Sequence, residues 1–404
     1  MKHQSRIEEV TESEKVTIYH HKLHQKHIKK TSILKLQDGD TLLEGHASCS
    51  RFLENSVSDL LLAPAELSHE AQETLPQDVD TVFMQEDNDM LCAPPSLGDV
   101  KEVLAKSNLQ AAPGCDGITG LLYYVCWDFL GESLTEVMKS IHEGNQPTVS
   151  QRTSLMVFGS KPKKPNSIRP GDKRRISLLN ADYKLATGLE SRKFRKLSTH
   201  TLSQHQYVAG NNRRIHHGIN LARDAITAAE KNKLSCGILD TDYMAAFDYL
   251  VMHWVFKVLA RKGVRDQVIQ RLKNLYAENI TVVVVNNSMG KAIMNVRWSL
   301  RQGDLPSMFW FAYAIDPLII FLDNKLKSIP LYSIPLHDPA PEGLQSPLPH
   351  LEQRYRVVRY ADDLKPSVTT KSSQLWIMLQ KCLRRVLALN YTETQSQESV
   401  NSLP

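Results

Sequence analysis

The stretch VRYADDLKPS, from Val358 to Ser367, sets two aspartates side by side at the end of a short apolar run. Adjacent carboxylates raise each other's pKa and cost stability unless cations neutralise them. Asp is also a common turn residue for local hydrogen-bonding reasons, so a solvated turn explains the stretch equally well when it stands alone. The rest of the chain decides.

With 404 residues, 42% apolar and 23% charged, the composition is that of a globular protein with more than one subdomain, not a disordered or fibrous one. Net charge is only +5, but it is unevenly spread. No Lys or Arg occurs from Phe52 to Val100, against eleven acids, whereas Lys161 to Ser198 holds twelve Lys or Arg against three acids. A basic block of this kind suits polyanion binding, or else forms a solvated face. The six cysteines show no CxxC pair or zinc spacing, and no secretory apolar segment opens the chain, so reduced thiols of an intracellular protein are expected. The run MFWFAYAIDPLIIFL is short and broken by Asp316-Pro317, so no transmembrane helix and no membrane partner is expected.

Residues 1–95 read as a charged N-terminal extension, partly disordered: a His/Lys-rich arm without ligand spacing, then a loose acidic linker. Beyond it, SLGDVKEVLAKS predicts a Ser-capped helix and APGCDGITG a turn. LLYYVCWDFLGESLTEVMKSIHEG predicts one amphipathic helix, and TSLMVFGSKPKK a strand entering a basic turn. RISLLNADYKLATGLESRKFRKL passes from strand to helix, and HHGINLARDAITAAEKNK is helical. CGILDTD predicts a strand, and VMHWVFKVLARKG a helix ended by Gly263. NITVVVVNNSMGKAIMNVRWS predicts a hairpin, and PSMFWFAYAIDPLIIFLDNKL a buried helix with Pro306 in its first turn. Residues 329–350 are a Pro-rich insertion before the Tyr360 hairpin, and 392–404 form a polar tail.

Asp240 and Asp242 end the CGILDTD strand two residues apart, hence on one face. Beside the Tyr360 hairpin they would gather three or four carboxylates at one edge. Such a cluster suits two Mg²⁺ (or Mn²⁺) ions roughly 3.5–4 Å apart, which promote in-line phosphoryl transfer. Oxygen ligands without His or Cys favour these metals over zinc.

The blocks DYMAAFD (Asp242–Asp248), RQGD (Arg301–Asp304) and YADD (Tyr360–Asp363) together resemble, in order, the core motifs of reverse transcriptases. APGCDG, KPKKPNSIRPGDKRRISLLN, DYKLATGLESRKF and QYVAGNNRRIHHGI narrow the resemblance to the polymerase of non-LTR (LINE-type) retrotransposons, from about Ala111 to about Leu389. The resemblance implies an α+β right-hand polymerase fold, with an antiparallel palm sheet, helices on one face, fingers at 96–205 and palm at 206–391.

It implies RNA-directed DNA synthesis from an RNA template, a DNA primer and dNTPs, with Asp242, Asp362 and Asp363 as catalytic metal ligands. Asp240 has only a minor claim. Phe247 falls where the family places the aromatic gate that excludes a ribose 2′-OH. Arg174 matches the triphosphate-gripping arginine, with Arg175 standing where Pro is frequent, so either fills the role; Lys161 or Lys163 is the lysine beside it. Gln302 and Gly303 match the turn on the nascent base pair, followed here by Leu305-Pro306-Ser307 in place of Pro-Leu-Ser. A lysine-bearing palm motif, a thumb and an endonuclease are not recognised, so the chain reads as truncated, with an endonuclease left to act in trans. The alternative is a catalytically inactive nucleic-acid-binding remnant of such an element.

Overall fold

The computed structural model describes residues 32–62, 79–80, 82–161, 163–204, 206–207, 214–231, 237–238, 247–248, 250–296, 300–328, 357–360 and 363–368. The first elements are an antiparallel hairpin, β1 (Lys35–Asp38) and β2 (Thr41–Glu44), turned through Gly39 and Asp40, and α1 (His46–Leu62). In α1, Cys49, Leu53 and Val57 recur every fourth residue and are all buried. Then come α2 (Gln85–Cys92) and α3 (Leu97–Lys106). The loose linker expected across this acidic stretch is therefore helical at Leu62 and before, and again at 85–92. In α2 the acids Glu86 and Asp87 occupy the first turn, where the helix dipole favours negative charge. The Ser96 cap of α3 is as expected: its side chain accepts from Asp99 N–H at 3.2 Å, while the Asp99 carboxylate accepts from Ser96 N–H at 3.0 Å.

The single helix expected after Gly120 is two, α4 (Gly120–Val125) and α5 (Trp127–His142), because Cys126 leaves helical geometry at ψ 18°. The short α6 (Val149–Arg152) leads into β3 (Thr153–Ser160). The strand-to-helix passage is β4 (Lys173–Leu179) and α7 (Ala181–Thr201), followed by α8 (Ile215–Lys231) and β5 (Gly237–Ile238). Helix α9 (Met252–Arg261) stops ahead of Gly263, whose φ of +95° suits a residue without Cβ; α10 (Asp266–Tyr276) follows. β6 (Ile280–Val285) and β7 (Ser288–Asn295) turn through Asn286 and Asn287, both at positive φ (51° and 64°), as a two-residue hairpin turn requires. The last described elements are α11 (Ser307–Ser328), continuous through Pro317, β8 (Val357–Tyr360) and β9 (Asp363–Val368).

Two compact units result. One takes the described residues up to Leu60 with Leu155–Ile176 and Thr281–Met294. It holds most of a four-stranded sheet, ordered β4-β3-β6-β7. The hairpin tip is tied to the N-terminal segment by Asn286, whose Oδ1 accepts from Ile33 N–H at 2.6 Å and whose Nδ2 donates to Ile33 O at 2.9 Å. Gly290 gives α1 room to lie on β7, since a Cβ there would come within van der Waals overlap of Glu54.

The other unit takes Leu61–Ser154, Ser177–Ile280 and the residues from Asn295 on. Its main core gathers α2, α7, α9, α10 and α11 around Phe194, Trp310 and Tyr313; a second cluster joins α3, α5 and α7. Helix α11 is buried from Phe309 to Ile319, including Asp316. That carboxylate meets Lys262 Nζ at 2.7 Å and accepts from Ser203 N–H at 2.9 Å, while Lys262 also donates to Thr201 O at 2.9 Å. A buried charge persists only when paired and hydrogen-bonded in this way. Below the same core, Arg271 lies 2.9 Å through Nε from Glu190 Oε1, off the hydrogen-bonding line, and donates through Nη2 to Oε2 at 3.1 Å. Among the described residues, no helix is long and apolar enough to cross a membrane.

Candidate active site

A three-stranded antiparallel sheet, ordered β5-β9-β8, includes Tyr360 and Asp363 of the YADD block. Tyr360 pairs with Asp363, leaving Ala361 and Asp362 as the connection between β8 and β9. β5 pairs with β9 through Gly237↔Val368 and Ile238↔Ser367. Helices α8 and α11 pack against β8. Asp363 opens β9, whose far end at Ser367 and Val368 pairs with β5. Asp240, Asp242 and Asp362 themselves lie outside the described residues. Among the described residues, no three His, Cys, Asp or Glu stand close enough to hold a metal.

Phe247 is half-buried against the main core, its ring stacked on Phe311 with centroids 5.2 Å apart and planes 27° from parallel. Its carbonyl accepts from Leu300 N–H at 2.9 Å, next to the RQGD turn. Two residues on, Gln302 O accepts from Ser177 N–H of β4 at 2.7 Å. Gly303 has φ +124°, and a Cβ there would lie 2.5 Å from Ser177 O, so only glycine lets the turn sit on the strand.

Beneath the turn is a set of buried polar side chains that the sequence reading did not single out. Arg301 stacks its guanidinium 4.5 Å from the Tyr183 ring centroid. Asp304 Oδ2 accepts from the Tyr276 hydroxyl at 2.9 Å, and that hydroxyl accepts from Trp310 Nε1 at 2.8 Å. Burial pushes the Asp304 carboxyl above its ordinary range, against the opposing pull of Arg301. Burial, and then the Asp304 charge, push the Tyr276 hydroxyl far up, so it stays protonated and able to donate. Tyr276 ends the apolar stripe of α10, and no spacing in the sequence distinguishes it from a core residue.

The basic block is divided between contacts. Lys161 donates its backbone N–H to Asp172 O at 3.0 Å, and its side chain is exposed, as are Lys163 and Arg174. Arg175 is half-buried. The loop between β3 and β4 is stapled by Asp172, which accepts from Ser167 Oγ at 2.7 Å and Lys164 Nζ at 3.0 Å; these hydrogen bonds hold its carboxyl below the usual range. Arg192 is used internally, paired with Asp99 and Glu102 of α3, and Lys193 donates to Leu91 O and Ala93 O. The twelve cations are therefore not one uniform anion-binding face.

Two motif blocks well apart in sequence also meet directly. Gly114 of APGCDG sits against Asn180, the last residue of ISLLN: a Cβ would overlap Asn180 N and the Leu179 carbonyl carbon. Asp116 N–H of the turn donates to Asn180 Oδ1 at 3.5 Å, and Asn180 Nδ2 in turn donates to Ser150 O of α6 at 3.0 Å, so that one amide holds the turn, the strand end and α6 together.

A mixed helix-and-sheet chain with an antiparallel sheet beneath YADD, and with RQGD seated on the strand of KRRISLL, has the makings of a nucleotide polymerase. A family model described as "Reverse transcriptase (RNA-dependent DNA polymerase)" matches residues 161–392, and the chain belongs to that family. Over 304 residues it is 26% identical to the "Transposon TX1 uncharacterized 149 kDa protein" of Xenopus laevis. That similarity covers 75% of this chain and 23% of the relative, so the chain spans about a quarter of the length of the curated protein it matches. Both findings bear out the resemblance to non-LTR, LINE-type retrotransposon reverse transcriptases.

Proposed function

We propose that this chain performs RNA-directed DNA synthesis for a retrotransposon, extending a primer 3′-OH with dNTPs on an RNA template. The observation that supports the reading is the strand pairing at YADD: Tyr360 pairs with Asp363 across the β8-β9 hairpin, and β9 pairs with β5 at Ile238, four residues before Asp242 in the sequence. Carboxylates are hard oxygen donors of the kind Mg²⁺ or Mn²⁺ takes, and in this reading Asp242, Asp362 and Asp363 would hold two such ions. Bound there, the ions would neutralise charge that develops on the transferring phosphoryl group.

The remaining roles fall to side chains and backbone. Phe247, with one ring face against Phe311, is the platform that excludes a 2′-OH. The Gln302–Gly303 turn packs on the nascent base pair. Arg174 or Arg175, with Lys161 or Lys163, grips the triphosphate; a guanidinium suits that task because its rigid fork meets phosphate oxygens two at a time. Catalysis then rests on positioning and charge stabilisation. In this reading 96–205 serve as fingers and 206–391 as palm.

Primer extension on an RNA template with dNTPs and Mg²⁺ tests the proposal, with Asp242→Asn as control. Extension by the unaltered chain that is abolished in the variant is expected. Template binding without extension, equal in both proteins, would refute it.

A further inference from the structure

The RQGD turn is tied at two backbone points, Leu300 N–H to Phe247 O at 2.9 Å and Gln302 O to Ser177 N–H at 2.7 Å. These bonds connect the segment carrying Phe247 with the strand of Lys173–Leu179. Neither bond involves a side chain, so something else must hold the turn at the height where both can form.

The buried side chains beneath it meet that need. Asp304 ends the turn, and its own N–H closes it onto Arg301 O at 3.1 Å. Asp304 Oδ2 is held by the Tyr276 hydroxyl, and that hydroxyl is held by Trp310 of α11. Ser307 Oγ, in the first turn of α11, donates to Arg301 O at 3.0 Å. The turn is thereby fixed from below to two helices that contact no nucleotide in the proposed function: α10 through Tyr276 and α11 through Trp310 and Ser307. Arg301, Asp304, Ser307 and Trp310 are nearly without solvent and Tyr276 is partly buried, and in such surroundings a hydrogen bond left unmade is costly and geometry is correspondingly sharp.

We propose that Asp304, Tyr276 and Trp310 form a pedestal that positions the Gln302–Gly303 turn, and through it Phe247, for the incoming nucleotide. They are positioning residues, not catalytic ones. The inference rests on the proposed nucleotide role of Gln302 for its kinetic consequence, but not for its structural one. Tyr276→Phe keeps the ring and removes the one oxygen that joins Asp304 to Trp310.

The matched control is Tyr313→Phe, which removes another buried tyrosine hydroxyl of the same core, the one 2.7 Å from Thr201 Oγ1. Two measurements are made on both proteins and on Gln302→Ala. By hydrogen exchange, the Ser177 and Leu300 amides should exchange faster in Tyr276→Phe than in Tyr313→Phe, at matched global stability. In primer extension, Tyr276→Phe should lower kcat/KM for dNTP roughly tenfold or more and narrow the preference for dNTP over rNTP, as a misplaced binding group does. Tyr313→Phe should leave the preference unchanged.

Equal amide exchange in the two tyrosine variants would overturn the pedestal. If those amides do loosen while Gln302→Ala leaves nucleotide kinetics untouched, the pedestal stands and the nucleotide role proposed for the turn falls.

Discussion

Replacing Glu190 by Gln tests how the lower part of the helical unit is held. Glu190 and Arg271 are both nearly solvent-free, with side-chain exposures of 6% and 2%. The guanidinium has Glu190 on two of its nitrogens and Leu91 O at 3.0 Å on Nη2. His142 Nε2 lies 3.4 Å from Nη1, and its Nδ1 lies 3.8 Å from Glu190 Oε1. The substituted amide would preserve volume and one acceptor but leave the Arg271 charge uncompensated in the core. Breaking a buried pair by removing one partner costs about 3–5 kcal/mol. For a unit of this size that corresponds to a fall in Tm of roughly 10 °C.

The pH dependence adds a sign. Burial alone would raise the Glu190 pKa, but Arg271, with His142, outweighs it and holds the carboxyl at about 2, below its ordinary 4.5. A depressed folded-state pKa contributes stability above 4.5 that is lost as pH falls from there towards 2. Urea unfolding followed by circular dichroism, repeated between pH 7 and pH 2.5, reads both effects. Glu190→Gln should be least stable relative to the parent at pH 7, and the gap should close on acidification. The double substitution Glu190→Leu with Arg271→Met should recover most of the loss. A single variant within about 0.5 kcal/mol of the parent at pH 7, or an unchanged gap down to pH 2.5, would refute the reasoning.

Further expectations concern the proposed site and its supports. Arg174→Ala should raise KM for dNTP and lower kcat in steady-state extension, because triphosphate is bound in ground and transition states alike; unchanged kinetics, with the effect in Arg175→Ala instead, would move the role one residue on. Gly114→Ala should destabilise by about 3 kcal/mol or more in thermal unfolding, since the added methyl meets backbone of Leu179 and Asn180 that cannot swing aside. Gly303→Ala should both destabilise and cut extension, through positive φ and the Ser177 carbonyl. Asn286→Ala removes two hydrogen bonds to Ile33 and should cost about 1–3 kcal/mol, with faster amide exchange at Ile33.

What the sequence made legible is mostly what is local. Ser96 with Asp99, Gly263, and Asn286-Asn287 are signals whose physics lies within four residues, and each ends or turns an element as expected. Helix α1 was hidden because its buried stripe is a single row, Cys49, Leu53 and Val57, among serines and acids that read as linker. The break at Cys126 lies within an amphipathic run that carries no Pro or Gly at that point to mark it. Of the site, the acidic motifs and RQGD were visible as patterns. The pedestal was not, because Tyr276 and Asp304 are 28 residues apart and meet only when α10 and α11 pack. The Glu190–Arg271 pair, 81 residues apart, was invisible for the same reason.

The buried Lys262–Asp316 pair also bears on the order in which the chain can be completed. During synthesis Lys262 leaves the ribosome more than fifty residues ahead of Asp316. Until the carboxylate arrives, the ammonium at the end of α9 has no counterion within the apolar surroundings it finally occupies, and burying it bare is prohibitive. α9 must therefore keep that end hydrated while α11 is made. Since α11 supplies both the counterion and the aromatic wall around Phe194, the helical core closes in one late event rather than growing helix by helix. A nascent chain stalled before Asp316 would present the unfilled side of α9 to chaperones, and release from them would coincide with emergence of that single aspartate.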